Sequence, residues 1–380
     1  MTDSIYDTRQ LRQQNLSRVL KAIWTSEGTS RADLSRHFGL SRSSISSLTE
    51  QLTTLGVIEE THLAASSGGR PPRVLQLDPD CCRVIGVDMG ASHIAVLSMN
   101  LRGEIEQVLE SDLACGEQPE EALSTIQTMV ETLRTSKPLL GVGVAVPSPV
   151  VDGELSARIL PAWKGIHLQA ELESRLSLRV FVGNDANLGA LAEQWWGTCK
   201  GVQDFVFIKM ATGVGAGLVQ HGKVLLGDAG YAGELGHVPI SNEGLCRCGM
   251  YGCLEAHIGL NALQQYLPPQ ISTSDWLNND PQSTKVVTGS IADALSVALS
   301  ILVNLLNPHK IVLWGPIPQR APQFVDALRQ AMSTKNLWSP MRIDALQVSS
   351  LGEQGVAKGA ATLLLEEAFS NPLLFAEMEG

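Results

Sequence analysis

RVIGVDMGASHIAVLSMNLRGEI, residues 83–105, reads as strand, tight polar loop, strand, turn and strand, and DFVFIKMATGVGAGLVQHGKVLL, residues 204–226, repeats that layout about 120 residues later. Short apolar runs bounded by glycine-bearing turns suit sheet strands. The repetition predicts an α/β body of two lobes, each a mixed sheet flanked by helices, with a ligand-binding cleft between them. Helices are expected over residues 118–135 and 289–306, and buried strands at LLGVGVAV (139–146) and KIVLWG (310–315). A last helix over 355–369 is apolar enough to pack back on the first lobe. In each lobe a glycine loop follows the first strand: Asp88-Met89-Gly90-Ala91-Ser92, then Thr212-Gly213-Val214-Gly215-Ala216-Gly217. Such loops can turn backbone N–H groups toward phosphates, but glycines at strand ends also serve plain turns. Their pairing across the duplication is what brings nucleotide binding, or descent from a nucleotide binder, into view.

Upstream of the body the pattern becomes helical. Leu16, Val19, Leu20 and Ile23 fall on one face of a first helix that should end near Gly28. Ser30 with Asp33 makes a capping-box start for a short second helix carrying Leu34 and Phe38. After Gly39-Leu40, Ser41 can cap a third helix with Ile45, Leu48, Leu52 and Leu55 on its apolar side and Gly56 at its end. This is helix-turn-helix spacing. Ser41, Arg42, Ser43, Ser44 and Ser47 then become candidate DNA contacts, short hydrogen-bonding side chains and one arginine on a helix that would lie in a major groove. A plain three-helix cap with a serine-rich face is the alternative. VIEETHL (57–63) and RVLQLD (73–78), joined by AASSGGRPP, supply the hairpin of a winged helix. Arg70, between Gly68-Gly69 and Pro71-Pro72, is shaped to enter a minor groove, although a flexible linker has the same composition.

Composition sets the frame. A chain of 380 residues suggests two or three domains, and 44% apolar with 18% charged residues is that of a globular protein with ample core. No stretch reads as a membrane span. The polar start MTDSIYDTRQLRQQN lacks a signal peptide's apolar core and predicts a reducing cytoplasm without disulfides. A net charge of −11 argues against nucleic-acid binding for the chain as a whole, yet residues 1–75 balance at +2 and leave −13 to the rest. A mildly basic head sits on an acidic body.

Of seven cysteines only Cys246, Cys248 and Cys253 cluster, within HVPISNEGLCRCGMYGCLEAH, residues 237–257. The paired loops, Asn184-Asp185-Ala186-Asn187, Gly233-Glu234-Leu235-Gly236-His237 and the Cys-x-Cys-Gly-x-x-Gly-Cys-Leu-Glu run together resemble the ROK family of sugar kinases and sugar-responsive repressors, over nearly the whole chain. The head followed by Gly-Arg-Pro, and Asn307-Pro308-His309-Lys310, look most like the repressors of glucose and N-acetylglucosamine uptake. The resemblance implies an N-terminal winged helix-turn-helix (1–75) on a two-lobed actin-like, ribonuclease H-like sugar-kinase fold. Lobe I would span 76–184, with 355–380 packed back on it; lobe II would span 185–354, with the cysteine motif and an oligomerisation surface.

His237, Cys246, Cys248 and Cys253 supply one imidazole and three thiolates, a closed set suited to tetrahedral, structural zinc; three reduced cysteines without metal are the alternative. By resemblance, His237 also touches the sugar with its second ring nitrogen, Asn184 orients the sugar, and Asp185 is the position of the kinases' general base. Asp185 therefore keeps a catalytic option, while Asn-Asp-Ala-Asn read by itself is a good helix-capping turn. Glu234 and Glu255 could accept hydrogen bonds from vicinal hydroxyls.

The nucleotide positions depart from the kinase pattern. Ala91-Ser92 stands where Gly-Thr is usual, Ala211 where a glycine precedes Thr212-Gly213, and Gly315-Pro316 where kinases have Gly-Gly; proline removes an N–H there. Asp88, Gly90, Ser92, Thr212, Gly213, Gly215 and Gly315 thus read as a vestigial nucleotide site. The resulting expectation is a repressor that binds operator DNA and takes a hexose or hexose phosphate as effector. It would be a homodimer or dimer of dimers, with an ATP-dependent hexose kinase bearing a DNA-binding head as the competing reading. A sugar-permease component is a further partner to consider, supported only by the apolar tail Pro372-Leu373-Leu374-Phe375, which could simply pack on lobe one.

Overall fold

Leu16, Val19, Leu20 and Ile23 are all buried, and their helical spacing seats α1 (Thr8–Thr25) against the rest of the head. The computed structural model describes residues 8–26, 28–62, 73–151, 153–267, 269–279, 285–333, 335 and 345–378. Ser30 and Asp33 form the reciprocal capping box of α2 (Arg31–Phe38), which ends on Gly39 in the left-handed conformation; Ser41 caps α3 (Arg42–Thr54). Two antiparallel strands follow, β1 (Ile58–His62) and β2 (Arg73–Leu77), with Ile58 opposite Leu77. Thr29 bridges to Leu75 as a third rung, completing a winged helix-turn-helix. Its second strand ends at Leu77, within the expected 73–78. The wing tip, with Arg70, lies outside the described residues.

The duplication is explicit in the sheets. In lobe one, β3 (Arg83–Met89), β4 (Ile94–Met99), β5 (Ile105–Ser111), β6 (Leu139–Val146) and, after a short ribbon of β7 (Val150–Val151) and β8 (Glu154–Leu155), β9 (Val180–Asn184) form the order β5-β4-β3-β6-β9. In lobe two, β10 (Phe205–Met210), β11 (Val214–Gln220), β12 (Lys223–Val224), β13 (Lys310–Trp314) and β14 (Leu346–Val348) form β12-β11-β10-β13-β14. Each sheet is thus an antiparallel three-stranded meander extended by two parallel strands. All residues of β3 and β6 are buried, as strands covered on both faces must be.

In lobe one, α4 (Pro119–Leu133) and α5 (Leu168–Leu176) cover one face of the sheet through Ile126, Val130 and Leu172. The two lobes meet on α6 (Asp185–Trp195), which packs on β10 and β11 on one side and on the C-terminal helix α12 on the other. Lobe two adds α7 (Glu255–Ile258), α8 (Thr273–Asn279), α9 (Lys285–Leu306), α10 (Pro316–Arg320) and α11 (Pro322–Ser333), and α12 (Gly355–Ser370) returns to lie on β3 and β6. Two glycines allow that return: a Cβ at Gly143 would stand 1.8 Å from the Ala360 carbonyl, and one at Gly359 would stand 1.9 Å from that of Leu188 on α6. α12 is therefore wedged between the first sheet and α6 at backbone contact distance.

Two apolar segments are accounted for by their packing. The residues Val287–Leu306 are long and apolar enough to cross a membrane by length and composition, but Val287, Ile291, Leu295, Leu299 and Val303 face the core of lobe two. The tail Pro372–Glu377 is not a free docking segment: Pro372 and Phe375 are buried, and Phe375 stacks near Phe369 at 6.3 Å, leaving Leu373 the more exposed. The tail is thus packed on lobe one.

The head also has far more than a tether to the body. Gln13 donates to Asn371 Oδ1 (2.7 Å) and Ser17 to the Phe369 carbonyl (2.7 Å), both across α1 and the chain end. Trp24 enters an aromatic cluster with Trp195 (4.7 Å), Trp196 (6.0 Å) and Phe369 (5.6 Å). Head and lobe one thereby share a single apolar core.

Candidate functional site

The first turn of α6 organises the cleft. Asn184 Oδ1 accepts from the N–H groups of Ala186 (3.0 Å) and Asn187 (3.1 Å), and its amide donates to the Ser148 carbonyl (3.4 Å). Asn184 therefore acts as the helix cap, with its polar atoms committed to backbone even though it lines the pocket. Asp185, the next residue, is buried and accepts a 2.6 Å hydrogen bond from Lys209 Nζ on β10. Burial raises the Asp185 carboxyl, and the ammonium beside it partly offsets that. For Lys209 burial opposes the charge, but Asp185 and then Asp88 outweigh it and hold the ammonium above its ordinary range.

A second ion pair grows out of the cysteine knuckle. Glu255, at the start of α7, takes Arg247 Nε at 2.6 Å and Nη2 at 3.2 Å, and its Oε2 also accepts the Val214 N–H at 2.9 Å. Arg247 stands between Cys246 and Cys248, so the fold of the knuckle aims the guanidinium into the pocket. Ligand atoms of His237, Cys246, Cys248 and Cys253 all lie within 4.8 Å of one another and could hold a metal ion. His237 Nδ1 is 3.6 Å from Cys246 Sγ, and Cys248 Sγ is 3.7 Å from Cys253 Sγ. The opposite ring nitrogen, Nε2, faces Glu234 Oε2 at 3.7 Å. Burial pushes the Cys246 thiol up to about 12, so a thiolate forms there only against a cation. Burial, then the charges of Asp185 and Glu255, push Glu234 up to about 7.

Asp185, Lys209, Glu234, His237, Arg247 and Glu255 line one inner pocket of about 30 Å³, too small for a monosaccharide while Arg247 holds Glu255. Arg247 and Glu255 also line the floor of a larger cleft of about 760 Å³, walled by Ala91, Ser92 and Leu160 of lobe one and Thr212 and Asn261 of lobe two. Ile159, Arg247 and Glu255 border both spaces.

The nucleotide-like positions are filled from within the chain. His93 covers Gly90, where a Cβ would meet its ring at 2.2 Å, and its Nε2 lies 3.4 Å from Asp88 Oδ2. Gly215 is not in a loop but inside β11, against Ala186 of α6. Gly213 leaves room for Arg247 and Glu255, with a Cβ there 2.8 Å from Arg247 Nη2. Gly315, at φ +124°, passes the Met210 carbonyl so closely that a Cβ would lie 1.9 Å from it, and Pro316 follows as the first residue of α10. Ser92 and Thr212 remain on the cleft wall.

On the head, Ser41, Arg42, Ser43 and Ser44 are exposed at the start of α3, with Ser41 Oγ within 2.9 Å of Ser43 Oγ and 2.8 Å of Ser44 Oγ. Ser47 is instead engaged by Arg12 Nη2 at 3.0 Å; the same guanidinium reaches Gln51 at 3.2 Å. Arg12 is a cation beside this helix that residue spacing did not single out. Nor did it single out Lys209, Arg247 or His93. Arg247 was the nearest to legible, since it lies within the cysteine motif.

A winged helix-turn-helix fused to a duplicated two-sheet body with a polar interlobe pocket defines a DNA-binding head on a sugar-kinase scaffold. The sequence profile of the ROK family matches residues 84–367, and the chain belongs to that family. It is 27% identical over 391 residues to the xylose repressor of Caldicellulosiruptor bescii, covering 95% of this chain and 98% of that one. Among solved structures, a ROK family transcriptional regulator homologous to the E. coli MLC protein superposes with a TM-score of 0.80 at 28% identity, covering 97% of this chain and 98% of that one. A ROK family glucokinase from Streptomyces griseus, solved with glucose and AMPPNP, superposes with a TM-score of 0.66 at 24% identity over 75% of this chain and 99% of its own, a likeness of fold.

Proposed function

We propose that this protein is a sugar-responsive transcriptional repressor: the winged head binds operator DNA, and a monosaccharide in the interlobe pocket changes that binding. The observation that carries the reading is α6. It begins at the pocket with Asp185 and ends at Trp195, which stacks on Trp24 of the head, a span of roughly 16 Å along one helix. A sugar that moves the lobes moves both ends. Asp185, Glu234, His237 and Glu255 are the sugar-facing groups, with Asn184 fixing the turn that presents Asp185. The likeness to a xylose repressor is the reason to test pentoses beside hexoses and their phosphates as effectors.

The tetrahedral ion at the knuckle is zinc on this reading. Thiolate bonds near 2.3 Å put sulfurs about 3.8 Å apart around such an ion, and a sulfur and an imidazole nitrogen about 3.6 Å apart. The separations of 3.7 Å and 3.6 Å fit. His237 would then bind metal through Nδ1 and turn Nε2 toward Glu234 and the sugar. The protein would work in the cytoplasm as a homodimer or dimer of dimers, for which the exposed row Val297, Ile301 and Leu305 on α9 offers an apolar face.

A kinase reading finds less support, because Val214 N–H is bound to Glu255, His93 occupies the first loop and Asp185 is tied to Lys209. The deciding experiment is a thermal-shift panel of pentoses, hexoses, N-acetylhexosamines and their phosphates, each with and without ATP. Operator titrations then follow with every sugar that stabilises the protein. A sugar should raise the melting temperature without ATP and alter operator affinity. ATP turnover with a sugar acceptor would favour the kinase.

A further inference from the structure

β3 and β10 open the two duplicated sheets, and each carries one charged residue immediately before its last: Asp88 in lobe one, Lys209 in lobe two. The equivalent positions bear opposite charges. Both side chains are buried, at 3% and 6% exposure, and Asp185 at the start of α6 stands with them at 7%. Lys209 has three N–H donors, of which one reaches Asp185 Oδ2 at 2.6 Å. Asp88 Oδ2 has His93, whereas Asp88 Oδ1 is buried with no hydrogen-bond partner among the described residues. A buried carboxylate oxygen without a donor is costly and marks an arrangement that another state completes.

We infer that Lys209 is a built-in counter-ion, standing where phosphoryl-transfer enzymes place a divalent cation between carboxylates and phosphates, and that lobe closure lets its ammonium bridge Asp185 and Asp88 Oδ1. Three features carry this. The ammonium is bonded to Asp185 at the start of α6, which lies between the two sheets, while Asp88 is carried by β3 of lobe one, so a second bond, to Asp88, forms as lobe one approaches. The orphan oxygen is on the lobe that must move. The cation is covalently part of β10, so closure needs neither metal nor nucleotide. In a phosphoryl-transfer site the metal neutralises charge as the reaction proceeds; here the charge is neutralised in advance, and sugar alone completes the closed state. Lys209 acts through the carboxylates and is a positioning residue. The inference rests on the cleft being a sugar site.

The test measures sugar affinity by calorimetry with and without millimolar Mg²⁺, using whichever sugar stabilises the wild-type protein. Wild type should be indifferent to Mg²⁺. Lys209→Met leaves Asp88 and Asp185 facing one another without a cation, and should bind sugar about tenfold more weakly, with Mg²⁺ restoring most of the loss. Lys209→Arg, which keeps the charge, should stay indifferent to Mg²⁺. If Lys209→Met does not fold, Asp88→Asn/Lys209→Met, which leaves Asp185 as the one carboxylate of the cluster, should fold and bind sugar about tenfold more weakly at any Mg²⁺ concentration. Wild-type sugar affinity that rises with Mg²⁺ would overturn the inference, as would wild-type affinity in either Met-bearing variant. No stabilisation of wild type by any sugar would instead remove the sugar-site reading beneath it, which separates the two failures.

Discussion

Trp24→Ala should disconnect the pocket from DNA while leaving both able to bind. Trp24 meets Trp195 at 4.7 Å, Phe369 at 5.6 Å and Trp196 edge-on at 6.0 Å. Aromatic pairs contribute about 0.5–1.5 kcal/mol each beyond area burial, so three pairs give roughly 1.5–4.5 kcal/mol. The indole is only partly buried, which places the expected loss of head docking at about 2–4 kcal/mol. The Gln13–Asn371 and Ser17–Phe369 hydrogen bonds remain, so the head stays attached but no longer reads the end of α6. Coupling between sugar and operator, about 1–3 kcal/mol in allosteric proteins, should collapse toward zero. The assay titrates labelled operator duplex by anisotropy with and without saturating sugar, and sugar by calorimetry with and without operator. Linkage requires the two ratios to agree in wild type and both to approach one in the variant, and Trp24→Phe should fall between. If Trp24→Ala keeps the full wild-type ratio despite a measured loss of stability, coupling does not run through α6.

Cys248→Ala should hold less zinc than wild type, counted per chain by atomic absorption, and bind sugar more weakly, since His237 and Arg247 belong to the same knuckle. Arg42→Ala should change base preference in a randomised-operator selection at a cost of about 1–3 kcal/mol, whereas Arg12→Ala, by freeing Ser47 and Gln51, should weaken binding without changing the preferred sequence. The hydrogen bond to Asp88 raises the His93 pKa above 6.5; the stability this supplies is complete below that value and is lost as pH climbs through the raised one. Denaturation midpoints measured against pH should therefore show wild type losing its advantage over His93→Gln above pH 6.5. Gly359→Ala forces a Cβ to within 1.9 Å of the Leu188 carbonyl and should cost about 1–3 kcal/mol in thermal unfolding.

What was legible in the sequence was whatever depends on local spacing. The capping box at Ser30 and Asp33, the strands of both meanders and the His-Cys₃ group are short-range patterns, and each folds as its pattern requires. β2 runs over Arg73–Leu77, inside the expected RVLQLD, with Leu77 held opposite its partner Ile58. The glycine-rich run around Gly215 looks like a loop in sequence; the sheet register, with Gly215 opposite Lys209, makes it strand. The capping reading of Asn184 could be drawn from four residues, because a helix cap is a local event.

The charged groups that set the chemistry of the cleft were hidden for the opposite reason. Lys209 sits in the apolar run FVFIKM, where one lysine looks like a strand end reaching solvent, and nothing nearby in sequence reveals that the alternation points it inward. Its partners lie 24 residues away on α6 and on the equivalent strand of the other lobe, so only the closing of two sheets around one helix brings the three together. The same holds for Trp24, whose partners come from α6 and from the chain's last helix. Duplication supplies two equivalent strand ends facing one cleft, and a single helix between the sheets touches both. A charge placed at one strand end is therefore felt at the other, and the helix that carries Asp185 at its first residue carries the head's aromatic contact at its last. A substitution at either end should alter the response to sugar more than it alters the fold.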